Sequence, residues 1–418
     1  MPDLKSIQRA LTHPLLKNTF FATLTQLSNF LPLLLVPILT SRMGLETFGT
    51  IALALSLTQL SIIITDFGYG LSSTYKISRN LDDKHAINNL IGSVFIGKIP
   101  LTLFASAVTI GFPILSPQYR DSMPIFMLAI LPIIGQAYQA NWLFIGLENL
   151  KSITLYTVGS KILYFIFIIL TIKSDQDAYL VILGWGAAQI LAAILSTLHL
   201  YKIGYSIRIP SFRIILEEFL SAVPFFISRL AVASYTTAST AIVSLAGPIQ
   251  TAHFYACQQI YKAGAALPVN QVLYPYMAKR PNWRAFLIIT ACATSLLTCI
   301  SSFLIFFSDD ILICTLGAEF GEAKYTFSAM LFAMVFSYLA TSFGYPAFSA
   351  INKLDIANRT VVIAAVFNAA VLFTLYTLDN ISALTISLSV LATEILVFIS
   401  RSTLLLLILK SHNKIPVK

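Results

Sequence analysis

The chain has 418 residues, of which 57% are hydrophobic and only 11% are charged, and its formal net charge is +9. Soluble domains carry about 25% charged residues, so polar side chains cannot cover this chain and lipid must be the solvent for most of it. The composition therefore excludes an ordinary soluble protein and predicts an all-α integral membrane protein.

Long apolar runs recur along the sequence, and a helix needs about 20 such residues to cross a bilayer. No small-residue cleavage site follows the first run, so we expect a retained helix rather than a signal peptide. The connecting loops are too short for a soluble catalytic or ATP-binding domain. We predict about twelve transmembrane helices, at 18–40, 46–68, 89–115, 123–145, 152–172, 178–201, 214–243, 249–277, 283–307, 323–350, 357–378 and 381–409.

Basic residues are divided unequally between the two sets of loops. With the N-terminus in the cytoplasm, 18 of the 27 lysines and arginines lie on the cytoplasmic side, 4 lie on the opposite side, and 5 lie within the predicted helices. Lysine and arginine are enriched in short cytoplasmic loops. We therefore expect both termini in the cytoplasm. The same distribution accounts for the net charge without nucleic acid as a partner.

The segment 29–80 sets the pattern of the chain. It contains the apolar run LPLLLVPIL, a tight turn within RMGLETFG, a second apolar run, and then DFGYG, which is followed by Lys76 and Arg79. Together with NWLFIGLE at 141–148, this pattern resembles the Wzx-type polysaccharide flippases. These are the O-antigen repeat-unit transporters of the multidrug/oligosaccharidyl-lipid/polysaccharide exporter superfamily, and the resemblance extends over the full length.

The resemblance implies two six-helix bundles around a central cavity, with an N-terminal lobe at 1–205 and a C-terminal lobe at 206–418. It implies a flippase, not an enzyme, that moves undecaprenyl-pyrophosphate-linked oligosaccharide to the outer leaflet of a bacterial inner membrane by alternating access. The expected partners are this lipid-linked substrate, membrane lipid, and a polysaccharide polymerase with its chain-length machinery. No cofactor is expected.

Charged residues occur within the predicted helices, where each one costs about 2.5–3.5 kcal/mol on insertion scales and should face a cavity or a partner. Too few acids lie near Arg229 and Lys262 to neutralise both, which predicts a cationic cavity that binds pyrophosphate through Arg229, Lys262 and Lys98. For Lys161 and Arg401 we favour structural roles, with Arg401 extending to the lipid headgroups. The basic residues within helices are Lys98, Lys161, Arg229, Lys262 and Arg401, and the acidic ones are Asp66 and Glu394.

Polar and aromatic side chains accompany these charges. Tyr255, Gln258, Gln259 and Lys262 share one helical face, and a second polar group lies at 136–142. Trp142 in that group is interpreted either as a sugar-stacking residue or as an interfacial anchor. A polar face within a membrane must line protein or water, so we expect the cavity to be lined by Tyr255, Gln259, Gln136, Gln139 and Asn141.

Two acidic residues are candidates for ion coupling. Asp66 lies near the inner end of the second predicted helix, and Glu394 lies near the middle of the twelfth. A carboxylate inside a protein can carry a proton when burial and nearby charges adjust its proton affinity. Glu394 is interpreted equally well as a structural partner of a lysine or an arginine.

Other recognisable patterns carry no chemistry. The sequence GSVFIGKI at 92–99 lacks the Ser or Thr that a phosphate-binding P-loop needs after its lysine, so Gly92 and Gly97 are interpreted as close helix contacts. The four cysteines form no CxxC pair, and the five histidines have no metal-ligand spacing. No metal site is therefore expected.

Three alternative functions remain open. A drug or ion antiporter of the same superfamily requires an acidic cavity for cationic drugs, whereas this chain has a basic excess. A membrane polymerase or ligase acting on lipid-linked sugars typically has a long outer loop with catalytic arginines and histidines, and the outer loops here are short. A purely structural membrane protein leaves the uncompensated charges within the helices unexplained.

Overall fold

The computed structural model describes residues 21–412 apart from 22, 26, 266–268 and 280, and all regular structure within these residues is helical. The α-helices that begin after residue 30 are α1 (Leu31–Thr40), α2 (Leu45–Asp66), α3 (Tyr69–Arg79), α4 (Lys84–Leu115), α5 (Met123–Leu128), α6 (Ile130–Ala137), α7 (Asn141–Gly146), α8 (Leu150–Thr171), α9 (Ala178–Lys202), α10 (Phe212–Thr236), α11 (Ala238–Val243), α12 (Pro248–Ala265), α13 (Val269–Lys279), α14 (Trp283–Phe306), α15 (Ser308–Leu316), α16 (Lys324–Ser342), α17 (Tyr345–Ser349), α18 (Leu354–Thr377) and α19 (Ala383–His412).

Nine helical segments among the described residues are long and apolar enough to cross a membrane. The prediction of an all-α integral membrane protein is confirmed, whereas the count of twelve helices stays a prediction. The first predicted helix, at 18–40, lies partly outside the described residues. The nine segments are Leu45–Arg79, Lys84–Leu115, Pro117–Gly146, Leu150–Thr171, Asp175–Lys202, Trp283–Phe306, Ala318–Ser349, Leu354–Thr377 and Ala383–Lys410.

The chain forms two compact units. Unit 1 consists of Met1–Leu31 and Ala54–Leu230, and unit 2 consists of Pro32–Leu53 and Ala231–Lys418. The residues of α2 and of α10 are therefore divided between the units. These boundaries differ from those of the predicted lobes, 1–205 and 206–418, and the two-lobe layout stays a prediction.

Arg401 holds three helices of unit 2 together. Its guanidinium group donates hydrogen bonds to the carbonyl oxygen of Ala340 in α16 (2.6 Å) and to the carbonyl oxygen of Ala357 (3.0 Å) and the hydroxyl of Thr360 (3.0 Å) in α18. Only 6% of the residue is exposed. The structural role expected of Arg401 agrees with this geometry, but the expected extension to the lipid headgroups was wrong.

Two glycines of α4 allow close packing within unit 1. A Cβ atom at Gly92 would lie 1.5 Å from the carbonyl oxygen of Arg208, and one at Gly97 would lie 2.6 Å from the hydroxyl oxygen of Tyr69. Both glycines lie inside a continuous helix and not in a phosphate-binding loop. The interpretation as close helix contacts is confirmed for Gly97, which meets α3, whereas Gly92 meets the loop that precedes α10.

We expect Gly92→Ala to destabilise the protein by about 1–3 kcal/mol or more, as is typical when atoms are added to a packed site. Gly111→Ala in the same helix is the matched control, because nothing lies within 4 Å of its Cβ position. Alanine is the better helix former, so this control should retain or raise stability by up to about 1 kcal/mol. Thermal unfolding in detergent measures both effects. Equal melting temperatures for the two variants would contradict the contact at Gly92.

Candidate functional site

A cavity of about 420 Å³ lies within unit 1, and its wall is formed by α2, α3, α4, α6, α7 and α10 together with the connection between α6 and α7. Thr65 and Ile145 also line it, although no sequence pattern singles them out. The cavity brings together residues that were selected from distant parts of the chain, namely Asp66, Lys98, Gln136, Gln139, Asn141 and Arg229.

The motif DFGYG forms a sharp joint between α2 and α3. Phe67 and Gly68 have φ angles of 46° and 80°, in the left-handed region that glycine adopts readily and phenylalanine does not. A Cβ atom at Gly68 would lie 2.7 Å from the carbonyl oxygen of Ala222, so α10 passes the joint at a distance that only glycine allows. The joint ends α2 at Asp66 and leaves this side chain in the cavity wall.

Asp66 and Arg229 form an ion pair in that wall, with the guanidinium donating a hydrogen bond to the carboxylate. Their side chains are 21% and 43% exposed, respectively, so solvent reaches both charges. Arg229 therefore has one acidic partner, whereas the sequence predicted that nearby acids are too few to neutralise both Arg229 and Lys262. Asp66 and Arg229 are 163 positions apart, and only the packing of α10 against the joint brings them together.

Further contacts hold α10 at the joint independently of this ion pair. The ring of Phe67 stacks between those of Phe219 and Phe226, with centroid distances of 4.3 and 4.4 Å. Lys76 of α3 donates hydrogen bonds to Glu218 (2.6 Å) and to the hydroxyl of Ser221 (2.8 Å). The position of the backbone around Arg229 is therefore set by apolar and ionic contacts on both sides of the joint.

Lys98 is a buried cation in the same wall, with 3% of the residue exposed. Its ammonium group donates a hydrogen bond of 2.8 Å to the carbonyl oxygen of Ala137, the last residue of α6. Carbonyl groups in the last turn of a helix lack partners within the helix and favour a nearby cation. The helical structure is interrupted at 138–140, before α7 begins. Lys98 therefore caps a helix end inside the membrane-spanning part of the protein.

The three charges of the cavity interact with one another but do not cancel. Lys98 interacts electrostatically with both Asp66 and Arg229. Within the described residues, no carboxylate lies within ion-pair distance of the Lys98 ammonium group. One aspartate therefore faces one lysine and one arginine, and the wall carries a formal charge of +1.

Amide side chains line the cavity next to Lys98. Gln139 donates to the side-chain oxygen of Gln189 (2.5 Å) and accepts from Asn141 (3.2 Å). The side-chain oxygen of Asn141 is buried and has no hydrogen-bond partner among the described residues. Trp142 is buried in the hydrophobic core of unit 1 and also lines the cavity, which favours a role there over an interfacial anchor. Gln189 was not selected from the sequence, because it lies 50 residues away on a mostly apolar helix.

The other residues predicted to bind substrate, line the cavity or couple ions lie in unit 2. On α12, Gln259 is buried, and Tyr255 packs edge-on against Phe48 with the ring centroids 6.1 Å apart. Lys262, on the same helix, is partly buried and has no hydrogen bond or ion pair with any residue that the structure describes. Its role, like those of Tyr255 and Gln259, stays a prediction.

Glu394 of unit 2 is buried, with 4% of the residue exposed. Its carboxylate accepts a hydrogen bond of 2.5 Å from the hydroxyl of Tyr261. No lysine or arginine of the described chain forms an ion pair with it. The hydrogen-bond partner of Glu394 is therefore a tyrosine and not the lysine or arginine that the sequence suggested. The part of Glu394 in ion coupling stays a prediction.

Comparison with known proteins identifies the family. Residues 15–280 match the family model described as "Polysaccharide biosynthesis protein". The chain belongs to this family. A protein of Shigella dysenteriae named "Putative O-antigen transporter" is 26% identical over 391 residues, which cover 91% of this chain and 97% of that protein. A protein of the same name from Escherichia coli (strain K12) is 26% identical over 268 residues, which cover 62% of this chain and 64% of that protein.

Solved structures share the fold of this family member. The lipid II flippase MurJ, in an inward closed conformation, gives a TM-score of 0.68 at 15% identity and covers 94% of this chain and 87% of its own. An inward-facing MATE family transporter of the MOP superfamily gives a TM-score of 0.60 at 16% identity, with 90% and 98% covered. The expected family is confirmed by the family model, and the multi-pass membrane architecture agrees with the nine apolar helical segments and with the shared fold.

Proposed function

We propose that this membrane transporter moves an undecaprenyl-pyrophosphate-linked oligosaccharide, an O-antigen repeat unit or a similar unit of surface polysaccharide, from the inner to the outer leaflet of a bacterial inner membrane. The observation that carries the proposal is the cavity in unit 1, where Lys98 and Arg229 share a wall with a single acid, Asp66. Membership in the polysaccharide biosynthesis family and the O-antigen transporter relatives support a substrate of this class.

The cavity suits the head of such a lipid. Arginine binds a phosphate through two parallel hydrogen bonds and lysine through a compact charge, so Arg229 and Lys98 take the pyrophosphate. The amide side chains of Gln136, Gln139 and Asn141, which line the same cavity, take the adjacent sugar. Within unit 2, Lys262, Tyr255 and Gln259 are proposed as a further contact surface for the substrate, and the lipid tail stays in the bilayer.

Transport proceeds by alternating access between the two predicted lobes, 1–205 and 206–418. The driving force for transport comes either from an ion gradient or from supply and removal of the substrate. Asp66 and Glu394 are the candidate residues for coupling to an ion gradient. Outside the membrane the flipped unit passes to a polysaccharide polymerase and its chain-length machinery. A drug antiporter is disfavoured by the positive charge of the cavity, since cationic drugs require an acidic one.

The function is tested in cells and in vesicles. Deletion of the gene should abolish polymeric surface glycan and cause lipid-linked repeat units to accumulate in the inner leaflet. Vesicles that contain only the purified protein should move a lipid-linked oligosaccharide to the leaflet where an added glycosidase cleaves it. Normal polymer after deletion, together with no movement in vesicles, would reject the proposal.

The proposed topology gives a separate prediction. In a variant with all four native cysteines replaced, new cysteines next to Lys84 and Lys279 should be shielded from an impermeant thiol reagent in intact cells. New cysteines next to Glu46, Asp310 and Asp379 should react, because the distribution of basic residues places these loops outside. Permeabilised cells provide the control, in which all five positions should react. Labelling next to Lys279 from outside would contradict the orientation.

A further inference from the structure

Asp66 occupies an unfavourable place for a site that binds an anion. It is the one acidic residue among the described residues that line the cavity, and it neutralises Arg229, which we assign to the pyrophosphate. A carboxylate in this position lowers the affinity for any anion. Removing it would raise that affinity, so its presence requires a physical reason.

The ion pair is not needed to hold α10 in place. The stacking of Phe67 between Phe219 and Phe226 and the hydrogen bonds from Lys76 to Glu218 and Ser221 fix α10 against the same joint. The side chains of Arg229 and Asp66 are partly exposed to the cavity, and exposed ion pairs are worth only about 0–1 kcal/mol. A pair of this kind can open without loss of the surrounding structure.

We propose that Asp66 is a built-in counter-ion that the substrate's diphosphate displaces from Arg229, and that closes on Arg229 again when the substrate leaves. This inference rests on the proposed function. In the empty site Asp66 keeps the guanidinium compensated, and Lys98 supplies the remaining positive charge. In the loaded site Arg229 and Lys98 hold the diphosphate, and the Asp66 carboxylate is released to the water of the cavity.

The exchange has two consequences for transport. The first is selectivity, because a diphosphate diester with two negative charges compensates both Arg229 and Lys98. A phosphate diester with one charge compensates only one of them, and its binding does not offset the free energy needed to separate Asp66 from Arg229. The second is release, since Asp66 competes with the bound anion for Arg229 and thereby shortens its residence. Asp66 is thus a specificity-determining residue that acts through Arg229.

The test is the binding of inorganic pyrophosphate to the purified full-length protein in detergent, measured by calorimetry. We expect Asp66→Asn to bind pyrophosphate about fivefold more tightly, which is the upper end of what one partly exposed ion pair supplies. The preference for pyrophosphate over orthophosphate should fall in the same variant. Glu217→Gln is the matched control, since Glu217 is a mostly exposed acid of α10 that pairs with Arg213 and does not line the cavity, and its affinity should stay within about twofold of the parent value.

Transport in vesicles supplies the second readout. Asp66→Asn should lower the substrate concentration at half-maximal rate and also lower the maximal rate, because release is slowed. A carboxylate that only stabilises the fold cannot produce this combination. Equal or weaker pyrophosphate binding by Asp66→Asn, with the parent protein binding normally, would overturn the counter-ion role and leave the proposed function intact. Failure of the parent protein to flip the lipid-linked oligosaccharide would instead count against the proposed function.

Discussion

Arg229→Ala should lower transport of the lipid-linked oligosaccharide about 30-fold or more per inserted molecule. Truncating one partner of a charge pair costs about 2–5 kcal/mol when the pair is buried, and the partial exposure of Arg229 points to the lower end, about 2 kcal/mol. The substitution also leaves Asp66 without its partner in the cavity wall, and this uncompensated negative charge repels the diphosphate. The rate must be divided by the amount of protein in the membrane, since a charge lost from a helix changes insertion as well.

Three related variants make this result specific. Arg229→Lys keeps the charge but loses the paired hydrogen bonds, so it should retain an intermediate rate. Adding Asp66→Asn to Arg229→Ala removes the unpaired acid and should restore part of the rate. Arg213→Ala on the same helix is the control, because Arg213 is 88% exposed and pairs with Glu217 one turn away. Normal transport by well-inserted Arg229→Ala would show that this arginine does not hold the substrate.

Lys98→Met should have the second large effect, a fall in transport of about tenfold or more, because it takes the formal charge of the cavity wall from +1 to zero. Methionine keeps most of the length of the side chain, so the change acts mainly on charge and on the hydrogen bond to Ala137. The carbonyl oxygen of Ala137 then lacks its partner, which costs a further 1–3 kcal/mol of stability, roughly. Rates and melting temperatures are therefore measured on the same preparation.

Lys161→Met is the matched control for this loss of charge. Lys161 lies on α8 in the same unit and hydrogen-bonds to the hydroxyl of Ser28 at 3.1 Å, and it does not line the cavity. Its substitution should leave transport within about twofold of the parent rate. If Lys98→Met and Lys161→Met reduced transport equally, the effect would reflect the loss of any intramembrane charge and not a substrate contact.

The sequence identified three charged residues that line one cavity, but it did not predict their partners. The cost of charge in lipid singles out Asp66, Lys98 and Arg229 without any structure, and all three line one cavity. Their partners depend on packing that no local pattern records. Arg229 meets Asp66 because Gly68 lets α10 pass close to the joint, and Arg401 meets α16 and α18 instead of lipid headgroups.

Helix type was predictable and helix continuity was not. Apolar length alone gives most of the long helices, but 123–145, predicted as one span, is divided into α5, α6 and all but the last residue of α7. Pro132 lies within α6, whereas the break at 138–140 has no proline or glycine. That break depends on tertiary partners, among them Lys98 at its end and Gln189 beside Gln139. The sequence of the segment itself therefore does not predict this break.

Because Lys98 caps α6, substitutions at position 98 and in the segment 137–141 are expected to depend on each other. Because its ammonium group is held by the carbonyl oxygen of Ala137, this lysine closes a helix end as well as charging the cavity. A relative that replaces it with an apolar residue must either continue the helix through 138–140 or supply another donor to the open carbonyl groups. Position 98 and the segment 137–141 are therefore expected to covary within the family. A lineage that changed its substrate would change the two together.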